Sequence, residues 1–158
     1  MEPVRSRPSL PAGYGVPAGE EGMLTWDDVR ARLAAARNYW VSTVRPDGRP
    51  HATPVWAVFV DDVLYHGGDP ATRRARNLEA NPYASIHLES GDEVVILEGR
   101  TTRHTEADTD AELLRRVDEA YQAKYGMPHG TPVWSLAVHR ALAWTTYPTT
   151  VTRWTFPS

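Results

Sequence analysis

Three tight-turn signals, Pro46-Asp47-Gly48, Asp61-Asp62 and Ser90-Gly91-Asp92, each fall between two runs rich in β-branched and aromatic residues. A turn this short joins antiparallel neighbours, because a parallel pair needs a crossover of about a dozen residues or more. The runs are residues 39–44, 50–60, 63–66, 83–89 and 93–103, followed by 133–139, 142–147 and 151–156. Helical patterning interrupts them at three places. The expectation is therefore a β-dominated α+β chain, with a small antiparallel barrel in preference to a βαβ fold.

The helices carry their own start and stop signals. Thr25 followed by Asp28 forms a capping-box pattern, and Trp26, Val29, Leu33 and Ala36 share one face. A second, short helix opens after Thr72 and stops at Asn81-Pro82. The third spans roughly residues 108–125, with Thr109 and Glu112 as its capping box and Gly126 and Pro128 ending it. Residues 1–22 alternate Pro and Gly and read as a flexible arm, leaving 23–158 as the folded domain. Gly13-Tyr14-Gly15-Val16-Pro17-Ala18 matches a dinucleotide fingerprint formally, but no strand precedes it and Pro17 spoils the turn-to-helix geometry.

Composition removes several function classes. The chain has no cysteine, so disulfides, thiolate catalysis and Cys-ligated metals are excluded. A net charge of -3 argues against a general nucleic-acid binder. No apolar run is long enough to span a membrane and no signal-peptide pattern follows Met1, so a cytoplasmic protein without membrane contact is expected. P-loop, nucleophile-elbow and zincin motifs are absent, and no metal site is expected from the six histidines.

The stretch with most chemical content is Gly67-Gly68-Asp69-Pro70-Ala71-Thr72-Arg73-Arg74. It follows an apolar strand and opens a helix. Unpaired N–H groups at a helix start, a hydroxyl and two guanidinium groups suit a phosphate. The same residues also fit a solvated basic helix face.

Residues 39–56, from Tyr39-Trp40-Val41 through Thr53-Pro54-Val55-Trp56, resemble the opening of the pyridoxamine-phosphate-oxidase-like superfamily of flavin and deazaflavin oxidoreductases. The block from Thr72-Arg73-Arg74 through Asn77-Leu78 to Asn81-Pro82 is similar to that family's phosphate motif and its following helix. Val95-Ile96-Leu97-Glu98-Gly99 resembles its next strand, and Thr152–Phe156 the end of its actinobacterial branch. The resemblance implies a six-stranded antiparallel split β-barrel with flanking helices, forming a homodimer with the cofactor at its interface. The cofactor implied is FMN or the deazaflavin coenzyme F420. Thr72, Arg73 and Arg74 would hold its phosphate. Thr53, Pro54, Val55 and Trp56 would run along the ring, His66, Gly67 and Gly68 would lie near the ribityl chain, and Trp154 would approach from the partner. The oxidases proper carry Lys at the position of Arg74 and end in an Arg-x-His motif. Here Arg153-Trp154-Thr155 has no such His, which points away from pyridoxamine phosphate as substrate.

The function implied is hydride transfer to or from a small conjugated molecule, with His51 the candidate proton donor because its ordinary pKa suits neutral pH. The alternative is a non-catalytic protein that holds a flavin, a deazaflavin or a haem.

Overall fold

The computed structural model describes residues 2–158. In chain order the elements are β1 (Val4–Ser6), α1 (Trp26–Ala35), β2 (Tyr39–Val44), β3 (Pro50–Val55), β4 (Ala57–Val60) and β5 (Val63–Gly67). Then come α2 (Arg73–Ala80), β6 (Tyr83–His87), β7 (Val94–His104), α3 (Ala111–Tyr125), β8 (Val133–Trp144) and β9 (Thr152–Thr155). Every strand pairing is antiparallel.

The pairings close on themselves. β2 pairs with β3, β4 with β5, β5 with β8, β8 with β7, β7 with β6, and β6 with β2. Only Trp56 separates β3 from β4, so the two form one bent strand and the ring has six members. β9 and β1 stand outside it. β8 is the branch point: Val133–Leu136 pair with β5, whereas Arg140–Ala143 pair with β9. The barrel is split at this fork, and the fold is the β-dominated antiparallel one expected.

Four boundaries differ from the sequence reading, each for a physical reason. The 50–60 run breaks at Trp56 because tyrosines of α3 take over its backbone bonds. The Tyr125 hydroxyl accepts from Ala57 N at 3.0 Å, and the Tyr121 hydroxyl donates to Trp56 O at 3.0 Å. The runs 133–139 and 142–147 merge into β8, which absorbs an extra residue where Glu98 faces Arg140 but Gly99 faces Val138. That bulge requires Gly99, since a Cβ there would lie 2.1 Å from Ala137 O. The third helix is capped by Asp110, whose carboxylate accepts from Glu112 N and Leu113 N. Thr109, expected in that role, bonds Asp108 and His104 instead. Finally, the arm is tied down: β1 pairs with β9, and the Arg7 guanidinium donates to the carbonyls of Gly19, Glu21, Thr149 and Val151.

Alternation on the strands sends Tyr39, Val41, Ile86, Leu97 and Leu136 inward, and α1 plugs the barrel with Val29 and Leu33. The Thr25–Asp28 capping box that starts α1 is present with both of its bonds. A second cluster, Val58, Tyr65, Val117, Tyr121 and Val133, seats α3 against β4, β5 and β8.

Candidate functional site

α2 packs over β2 and β3 because Asn77 donates from Nδ2 to Thr43 Oγ1 at 3.0 Å, both side chains being buried. Thr72 caps the helix. Its hydroxyl accepts from Ala75 N at 3.2 Å and donates to Asp69 O at 2.9 Å. Its proton is therefore engaged within the turn, which leaves the arginines as the donors of this motif.

Arg74 is almost wholly buried. Nη2 donates to Gly67 O at 2.6 Å and Nη1 lies 3.2 Å from His66 Nδ1. A guanidinium only donates, so Nδ1 accepts and the His66 proton sits on Nε2. Burial first, then the charges of Arg74 and His129, push the His66 pKa down to about 3. The ring lies parallel to Trp134 at 5.9 Å, and Nε2 is buried without a partner. Burial also lowers the pKa of Arg74.

His51 stands on β3, on the α2 side, opposite Thr43 of β2. Its Nδ1 is buried without a partner. Desolvation lowers its pKa, and so do the nearby charges of Arg45, Arg73 and Arg74. Three cations thus lie within electrostatic reach of one imidazole. Among the described residues neither Arg73 nor Arg74 forms a salt bridge, and the nearby Asp47 carboxylate is held by Arg49 at 2.8 Å. Guanidinium groups without a salt bridge of their own, with only the Asp47 carboxylate in electrostatic reach of Arg45 and Arg73, stand beside an orphaned ring nitrogen and are matched in donor type to an anion. Arg45 was not among the residues singled out in the sequence. It lies in the β2–β3 turn, where only the strand pairing carries it toward α2.

The remaining expected residues divide. Thr53 and Val55 share the half-buried face of β3 with His51, whereas Pro54 and Trp56 lie on the opposite, exposed face. Among the described residues β3 pairs only with β2, so its outer edge leaves backbone polar groups free there. Trp56 is 39 % exposed and stacks on Tyr125 at 4.5 Å, with Arg37 5.3 Å above its ring. The space beside both glycines is filled by the chain's own side chains. A Cβ on Gly67 would lie 2.1 Å from the His129 ring, and one on Gly68 would lie 2.2 Å from Arg74 Nη2.

Trp154 requires a correction. It is 1 % exposed, edge-on to Trp26 at 5.5 Å in its own barrel, and cannot extend to a partner's cofactor. Its position between β8 and β1 turns the ring inward. His129 was missed. It sits on the α3–β8 loop, where Asp118 Oδ1 accepts from His129 N at 3.2 Å and from Gly130 N at 2.8 Å. The ring covers Gly67 and lies 5.0 Å from that of Tyr121. The only hint in the sequence is the Gly126–Gly130 turn closing back on α3.

The sequence profile of the pyridoxamine 5'-phosphate oxidase family matches residues 25–145, and the chain belongs to that family. No curated protein matches it. Among solved structures, a conserved hypothetical protein from Mycobacterium tuberculosis superposes with a TM-score of 0.65 and 22 % identity, over 78 % of this chain and 87 % of that one. A pyridoxamine 5'-phosphate oxidase-related, FMN-binding protein from Nostoc punctiforme gives 0.58 and 19 %, over 82 % and 89 %. A heme-binding protein from Mycobacterium smegmatis gives 0.60 and 22 %, over 75 % and 53 %. At these identities the likeness is one of fold. No helix among the described residues is long and apolar enough to cross a membrane.

Proposed function

We propose that the chain is an oxidoreductase that binds a phosphorylated flavin-type cofactor, FMN or coenzyme F420, at the Arg45–Arg73–His51 cluster. The observation that carries this reading is that Arg73 and Arg74, at the start of α2, form no salt bridge among the described residues while the Nδ1 of His51 on the neighbouring strand is buried without a partner. Arg73 and Arg45 meet the phosphate directly. Arg74, locked to Gly67 O, adds charge from behind. Thr53 and the free edge of β3 border the ring, with Pro54 and Trp56 on the outer face.

When bound, the ring supplies hydride transfer, and the protein supplies position, charge and exclusion of water. Desolvation and then the guanidinium charges hold the His51 pKa down, and a phosphate at the cluster offsets the second of these. His51 is placed to exchange a proton with a small conjugated substrate. A second copy of the chain covers the outer face of β3 and β2, where Pro54, Val44 and Trp56 are exposed. The result expected is a particle of twice the chain mass, and a monomer at micromolar concentration contradicts it.

The test is to load the protein with each cofactor, reduce it, and follow reoxidation anaerobically with quinones and unsaturated ketones. Reoxidation well above the rate of free cofactor supports the enzyme reading. Tight binding without acceptor-dependent reoxidation replaces it with a holding function, of the kind for which the heme-binding protein from Mycobacterium smegmatis is named.

A further inference from the structure

A cavity of about 770 Å³ opens at the fork of the barrel and shares no lining residue with the arginine cluster. It does not depend on the flavin reading. Leu33 of α1, Leu64 of β5, Leu97 of β7 and Leu136 of β8 close its floor and are themselves out of water, while Phe59, Val63 and Val138 are half-buried along it. Its side is aromatic, with Trp26 edge-on to Trp154 at 5.5 Å and to Phe156 at 5.0 Å.

The fork explains why the space exists. β8 leaves β5 after Leu136 and meets β9 only at Arg140. Ala137 and Val138 line the cavity and have no strand partner on this flank. β5 and β9 diverge there.

The rim is acidic. Glu2, Asp27, Asp61 and Asp62 face two guanidinium groups, Arg5 and Arg30. Arg30 alone bridges both Asp27, at 2.9 Å, and Asp62, at 2.8 Å, so one cation serves two carboxylates. Asp61 is paired with Arg116, and Arg5 lies 3.9 Å from Glu20. A cavity of small-molecule size with aromatic and aliphatic walls beneath a net negative rim selects one ligand chemistry. We propose that the fork cavity is a second ligand site, taking an amphiphile with an apolar body and a single cationic head group. The body displaces water from Trp26, Phe59, Val63, Val138 and Phe156, while the head group joins Arg30 in balancing Asp27 and Asp62.

The test uses the full chain and three probes of equal tail length: decyltrimethylammonium, decyl maltoside and decyl sulfate, each below its micelle concentration. Calorimetry and tryptophan fluorescence read the binding. The expected result is saturable one-to-one binding, with the cation about tenfold tighter than the sulfate, a preference of roughly 1.4 kcal/mol. Asp27→Asn with Asp62→Asn removes that preference, and Val138→Trp, which fills the cavity from a half-buried position, abolishes binding. Arg73→Ala leaves all three probes unaffected, which separates this site from the flavin site. Non-saturable binding, equal affinity for cation and sulfate, a preference that survives the double rim variant, or a change on Arg73→Ala overturns the proposal.

Discussion

His66 shows how much one side chain settles. It is fully buried, accepts from Arg74 and lies parallel to Trp134. The unfolded chain takes up its proton near the ordinary value of 6.5, and the folded one only near 3. Between those values the unfolded state binds more protons, so stability falls as pH drops through that window. The full slope is about 1.4 kcal/mol per pH unit. Denaturant unfolding at successive pH values between 6.5 and 4 measures it. His66→Gln, which keeps an acceptor for Arg74, flattens the profile, and an unchanged slope in the variant contradicts the assignment. Thr72, Arg73 and Arg74 were visible in the sequence as a motif, but not their division of labour. Thr72 is committed to Asp69 and Ala75, and Arg74 faces inward to Gly67. Residue spacing gives the phase of a helix, not the partner each side chain finds across the fold. Arg45 and His129 escaped for the same reason, since each reaches the site from a turn.

At the scale of elements, α3 defines the corner of the barrel. The Tyr125 hydroxyl accepts from Ala57 N and stands 2.8 Å from the carbonyls of Arg37 and Ala57. Tyr125→Phe removes the hydroxyl from the part-buried Ala57 N–H and costs about 0.5–1.5 kcal/mol of stability, read as a lower denaturation midpoint. A variant as stable as the parent contradicts this role. α1 acts as the plug. Leu33 is buried against the barrel, and Leu33→Ala costs about 2–5 kcal/mol through lost contact and a cavity. A loss below about 1 kcal/mol places α1 outside the cooperative core. The start of α1 was legible because a capping box is local, with both partners three residues apart. The break at Trp56 was not, because the hydroxyl that captures Ala57 N lies 68 residues further along the chain.

Across the whole molecule, the fold is a ring of six strands, closed through the bend at Trp56 and opened again by the fork in β8. The antiparallel character was readable from three short turns. The closure was not, since it depends on β5 pairing with β8 about 70 positions later. The ring brings the β2–β3 turn, β3 and the start of α2 together, and leaves the fork as a separate cavity. The proposed function stands or falls with the anion seat formed by the first three. The most direct test is an absorbance titration of the purified chain with FMN and with F420, in low and high salt, alongside Arg45→Ala and Arg73→Ala. The expected result is saturable binding of at least one cofactor, weakened by salt and weakened about tenfold or more by either substitution. Binding indifferent to salt and to both arginines, or no binding of either cofactor, contradicts it.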